Sequence, residues 1–269
     1  MLNLGGFGMV SWDESSPDPT TPLKYRTTDL PIFDPNLKAL AEKVRTNCLL
    51  AHIRGIAYRA DSGFGPHNLH PFYYRGHRWA MAHNGDLAGY KDMRHDLLGY
   101  VTADLRREIQ GTTDSETVYA LVLSELERMQ GDGPASLADA IVNTIATLRQ
   151  VRADHGVEIN SALNLLFCDG TSTVGVRYTF DYGCFPIEHP EKMSQSNVDY
   201  LSLWYTMGEH YECVDDIWQM TGDPGSTEAV IVASEPLTRE VAGWVELPEY
   251  SIFMVDRESG RTQTIDLPW

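Results

Sequence analysis

Residues 51–54 read A-H-I-R, residues 68–72 N-L-H-P-F, residues 82–85 A-H-N-G and residues 111–116 G-T-T-D-S-E, four short signatures within 66 residues. The first ends an apolar run from Cys48 that reads as a buried strand, with Arg54 leaving its end. A guanidinium there presents two parallel donors, enough either for a substrate carboxylate or for a structural ion pair. Asn84–Gly85 follows the strand-like segment Arg78 to His83, and Asn-Gly is first of all a turn signal because both residues tolerate positive φ. Thr113–Asp114–Ser115–Glu116 has the T-x-x-E spacing of a capping box, in which Thr113 caps a helix and Glu116 closes back on it. Asp114 then falls on the first helical turn, where the helix dipole favours its ionised form.

Outward from this stretch the pattern alternates strands and helices. Phe7 to Trp12 alternates as a strand, and Asp13 to Pro22 is a Ser/Pro/Asp/Thr loop. Leu37, Leu40, Ala41 and Val44 give Asn36 to Thr46 the spacing of a short amphipathic helix after Asp34–Pro35. Phe72 to Tyr74 and Arg78 to His83 form a hairpin-like pair around Arg75–Gly76–His77. Helices are expected at 89–98, 114–130 and 136–154, and strands at 160–168, 172–180, 228–233 and 250–256. Residues 183–227, rich in Tyr, Trp, His and acids and without clear periodicity, read as an insertion. Strands at both ends and helices between them give an α+β class.

The chain has 269 residues and 42% apolar content, enough for a packed core, and one domain spanning 1–269 is expected. Its formal charge of −17 repels nucleic acid and anionic membranes, so neither is expected as a partner. There is no 18-residue apolar run and no secretion signal, which together point to the cytoplasm. Cys48, Cys168, Cys184 and Cys213 form no C-x-x-C pair, and a disulfide is not expected in such a compartment. Histidines at 67, 70, 77 and 83, with His52 nearby, invite a metal reading, but neither H-E-x-x-H nor H-x-x-E-H is present, so no metal is expected.

The four signatures, preceded by G-G-F-G at 5–8 and followed by N-L-L-F-C-D-G at 164–170, resemble the glutaminase domain of the class II, N-terminal-nucleophile glutamine amidotransferases. The resemblance implies a four-layer α-β-β-α sandwich. It also implies that Arg54 binds the α-carboxylate of glutamine, that Asp114 binds its α-ammonium group, and that the Asn84 side chain and Gly85 N–H form an oxyanion hole. One such donor is worth about 3 kcal/mol in barrier height. His83 would position the Asn84 loop, bind substrate or simply pack, with Asn68, His70 and Thr113 supporting the pocket from behind. No cofactor is implied.

In the family the nucleophile is a cysteine that becomes the first residue once the initiator Met is removed. Here Leu2 follows Met1, and the chain opens at the family's second strand, Gly6–Phe7–Gly8. The first strand and helix, roughly 25 to 45 residues, are expected to be lacking, with a gap in the sheet where apolar side chains face solvent. A late start, a genuine loss of catalysis, or a strand supplied by another chain would each explain this. The first is favoured because Arg54, Asn84, Gly85 and Asp114 are all kept. The function implied is hydrolysis of glutamine or another γ-glutamyl amide through a cysteine thioester in the full-length parent, the chain as written being inactive. The compact layout resembles the single-domain subgroup that includes γ-glutamyl hydrolases of thiol metabolism, with 183–227 shaping acceptor specificity or meeting a partner subunit. The alternative is a module that binds a γ-glutamyl ligand, or assembles with a partner, without hydrolysis.

Overall fold

The computed structural model describes residues 5–55, 65–184, 202–238, 241–256 and 260–268. The chain divides into two compact units, and the divide falls inside two strands and one helix. Unit one comprises Met1–His83, Tyr90–Val151 and Phe167–Thr171, and unit two Asn84–Gly89, Arg152–Leu166 and Ser172–Trp269.

Unit one begins with β1 (Phe7–Trp12), which pairs antiparallel with both β2 (Leu23–Thr27) and β3 (Cys48–Ile53) in the order β2-β1-β3. As the central strand β1 is buried on both faces at Met9, Val10, Ser11 and Trp12, so its alternation does not mark a wet face. Gly8 is there for space: a Cβ would lie 2.0 Å from the His70 carbonyl oxygen. Helix α1 (Pro35–Lys43) starts on Asp34, whose carboxylate accepts the N–H groups of Asn36 and Leu37 at 2.9 and 3.3 Å while Pro35 takes the first turn. It buries no residue completely, so the expected amphipathic helix is short and sits half in solvent.

β3 differs from its expected burial. With a single neighbour among the described residues it is a sheet edge, and of its apolar side chains only Leu50 is buried, while Leu49 and Ile53 are 52% and 46% exposed. The expected hairpin after it reduces to one antiparallel bridge, Phe72 with Met81, leading into β4 (Ala80–Asp86). Next come α2 (Tyr90–Gly99), the unforeseen α3 (Ala103–Glu108), α4 (Asp114–Met129) and α5 (Pro134–Asp154). α4 is buried nearly all round from Ser115 to Ser124, which marks it as a core helix. Fully buried Trp79 anchors unit one by donating Nε1–H to the Asp132 carbonyl at 2.8 Å, and Tyr119 on α4 donates its hydroxyl to the Trp79 carbonyl at 2.6 Å.

The five-stranded sheet runs β13-β12-β6-β5-β4, where β5 is Ser161–Cys168, β6 Ser172–Phe180, β12 Ser251–Asp256 and β13 Arg261–Asp266. Within unit two β12 is antiparallel to both β6 and β13. A second sheet places β7 (Trp204–Gly208) between β10 (Ala229–Ala233) and β11 (Val245–Glu246). Leu203, Leu247, Phe253 and Val255 form the unit's core cluster, with Tyr205 stacked on Phe253 at 4.3 Å. The segment read as an insertion carries β7 and a separate hairpin, β8 (His210–Val214) and β9 (Ile217–Thr221); residues 185–201 lie outside the described part. Antiparallel sheets with helices segregated in the chain make this a mixed α+β fold.

Candidate active site

Unit one gathers Arg54, Asn68, His70, His83, Thr113 and Asp114. The end of β3 is held by main-chain bonds across the sheet, Arg54 N–H to the Gly6 carbonyl and Gly5 N–H to the Arg54 carbonyl, both at 2.9 Å. This fixes the base of the Arg54 side chain. Burial of its half-buried guanidinium lowers the pKa below the ordinary arginine value, against which the nearby Asp114 carboxylate supports the charge. Unit one thus holds a cation and an anion close enough to interact, the two charges that a zwitterionic amino acid presents in reverse.

Asp114 opens α4. Thr113 is the N-cap, its hydroxyl accepting the Glu116 N–H at 3.2 Å. The other half of the expected capping box is not made. Glu116, only 2% exposed, turns its carboxylate to the preceding loop, where it accepts the N–H of Gly111 at 2.6 Å and of Gln110 at 3.1 Å and the Tyr74 hydroxyl at 3.3 Å. Asn68 holds the loop from the other side: its carbonyl accepts the Thr112 N–H at 2.8 Å and its amide donates to the Thr112 hydroxyl at 3.3 Å. Gly111 is pinched between them, since a Cβ there would meet Asn68 Oδ1 at 2.3 Å and Glu116 Oε2 at 2.8 Å. The loop that delivers Thr113 and Asp114 is thus clasped by two buried side chains, of which the sequence assigned a supporting place only to Asn68.

Three imidazoles lie near one another in the same unit. Ring centroids are 4.3 Å apart between His52 and His70 and 6.5 Å apart between His70 and His83. His52 bonds to the His83 main chain, yet burial first, and then the charge of His83, lower it to about 4. His70 is pushed well below its ordinary value by burial and then by His52. Both are therefore neutral at physiological pH. Among the described residues no group of three or more His, Cys, Asp or Glu is arranged to hold a metal ion.

His83 accounts for a connection that sequence reasoning missed. Its Nδ1 lies 2.9 Å from the hydroxyl of Ser115, which in turn reaches Asp114. The adjacent Asn84 and Gly85 are not a turn but the later part of β4, and Gly85 has φ 148°, a conformation L side chains rarely adopt. They are counted with unit two. No helix among the described residues is long and apolar enough to cross a membrane.

The family model for glutamine amidotransferases of class II matches residues 35–179, a span holding every site residue named above. The probable glutamine amidotransferase DUG3 of Saccharomyces cerevisiae is 27% identical over 274 residues, covering 96% of this chain and 71% of that protein. The putative glutamine amidotransferase YafJ of Escherichia coli is 29% identical over 167 residues, 61% of this chain and 54% of its own length. Among solved structures, a glutamine aminotransferase class-II domain protein from Silicibacter pomeroyi superposes with a TM-score of 0.65 at 25% identity, covering 98% of this chain and 92% of that one. Glutamine phosphoribosylpyrophosphate amidotransferase of B. subtilis gives 0.54 at 16% identity, with 98% of this chain covering 43% of that chain, a likeness of fold.

Proposed function

The chain belongs to the class II glutamine amidotransferases, and on that premise we propose that it binds glutamine or another γ-glutamyl compound between Arg54 and Asp114. The observation that carries this is the opposed charge pair on the end of β3 and the first turn of α4, each side chain positioned by its own backbone anchor. Arg54 takes the α-carboxylate through two parallel donors and Asp114 takes the α-ammonium group. Asn84 and Gly85 are kept as the oxyanion donors that the family resemblance implies.

In the family the thioester step uses an N-terminal cysteine. Cys48 does not replace it, because six residues of extended strand, about 20 Å, separate it from Arg54. Turnover of a γ-glutamyl amide by this route needs a cysteine thiol beside the Arg54 and Asp114 pair.

Calorimetry with L-glutamine tests the binding site. Arg54→Ala removes charge-assisted hydrogen bonds worth about 1.5 to 3 kcal/mol, so the dissociation constant rises roughly 10- to 100-fold. Unchanged affinity refutes the site.

A further inference from the structure

We propose that Ser115 is a positioning residue that sets the Asp114 carboxylate for a substrate's α-ammonium group and ties it to His83. The proposal rests on the glutamine-site reading and extends it to a residue for which neither the motif nor the helix cap requires a hydroxyl.

Ser115 is 4% exposed at the start of α4, where a side chain serving only to fill space would be apolar or alanine. Instead both of its donors converge on one atom: the N–H reaches Asp114 Oδ1 at 2.8 Å and the hydroxyl reaches the same oxygen at 3.2 Å. An ionised carboxylate only accepts, so the hydroxyl proton is committed to Asp114. The contact between Ser115 Oγ and His83 Nδ1, 2.9 Å long, must then be donated by the imidazole. The result is a directed chain in unit one, His83 Nδ1–H to Ser115 Oγ–H to Asp114 Oδ1.

Two consequences follow for recognition. Two donors on Oδ1 fix the rotation of the carboxylate, which on a half-buried first-turn aspartate would otherwise be shared among rotamers. The same chain fixes the tautomer and ring plane of His83, which is 2% exposed and precedes Asn84 in β4. Orientation of the ammonium-binding group and of the His83 ring thus passes through one hydroxyl.

The test compares two probes by calorimetry on the full chain: L-glutamine, and glutaramate, the same molecule without its α-amine. In the wild type glutamine binds at least tenfold more tightly than glutaramate, and Asp114→Asn removes that preference. Ser115→Ala lowers glutamine affinity about tenfold and leaves glutaramate within about twofold, while Ser115→Thr, which keeps the hydroxyl, restores most of the preference. An equal loss for both probes in Ser115→Ala, or no loss for either, overturns the role of Ser115 and leaves the glutamine site standing. A wild type that binds neither probe, or binds both equally, overturns the glutamine reading and this proposal with it.

Discussion

Acid destabilises this protein through its buried histidines, and His52 provides the measurable case. Burial lowers it from an ordinary 6.5 to about 4. Above pH 6.5 neither the folded nor the unfolded chain carries the proton, so the group is neutral to stability. Between 6.5 and about 4 the unfolded chain binds a proton that the folded chain refuses, and stability falls as pH falls. At pH 5 the unfolded imidazole is almost fully charged and the folded one about one-tenth charged, a difference of about 2 kcal/mol. For a chain of this size that corresponds to a drop in unfolding temperature of roughly 4 to 8 °C. His52→Gln is the matching perturbation, because its amide still offers a donor to the His83 main chain and does not titrate. Urea titrations followed by tryptophan fluorescence at pH 7.5 and pH 5 give the two stabilities for each protein. The wild type loses about 2 kcal/mol more than the variant between these values, the remaining slope belonging to His70 and other groups. Parallel pH profiles for the two proteins would refute the reasoning.

The clasped loop offers three further measurements. Gly111→Ala drives a methyl to within 2.3 Å of Asn68 Oδ1 and costs about 1 to 3 kcal/mol of stability by urea titration; an unchanged midpoint would show that the loop gives way freely. Asp114→Asn leaves stability within about 0.5 kcal/mol and lowers glutamine affinity about tenfold, whereas Glu116→Gln costs about 1.5 to 3 kcal/mol, and a reversed pattern contradicts the roles given to the two acids. Trp79→Phe keeps most of the ring volume but deprives the Asp132 carbonyl of its donor, a loss of about 1 kcal/mol, while Trp79→Ala costs about 3 to 5 kcal/mol; differential scanning calorimetry separates the two.

Local patterns read well where local physics decides. The cap at Thr113, the 3.6-residue periodicity of α4 and α5, and strands β5, β6, β10 and β12 were legible because a side chain's burial there follows its own spacing. β3 was misread as buried because Cys48–Leu49–Leu50–Ala51 is apolar whichever neighbours it has, and only the sheet order shows that it has one. Asn84–Gly85 carried a turn signal, yet pairing within a sheet overrides such a preference. The β8–β9 hairpin turns on Asp215 and Asp216, both at positive φ, where Asn-Gly or Asp-Gly would have announced the turn. β13, R-T-Q-T-I-D, escaped because it is a largely exposed edge strand with little apolar alternation.

The site residues illustrate the same division more sharply. Asp114 and Glu116 stand two apart at one helix start, so on an α-helix they point about 200° apart. The sequence assigned the outer one to substrate by resemblance and the inner one to a cap by spacing. Both share the favourable field of the helix N-terminus, which is why a single loop can carry two carboxylates without destabilising itself. The inner carboxylate spends its hydrogen-bonding capacity on Gln110, Gly111 and Tyr74, making the loop rigid; the outer one is oriented through Ser115 and left half-exposed. A reciprocal capping box would have bound Glu116 to its own helix and left residues 110–112 to the hold of Asn68 alone. Departure from the local rule is therefore what gives the ammonium-binding aspartate a fixed position, and it was invisible in T-D-S-E because it depends on Asn68 and Tyr74, more than 40 residues away.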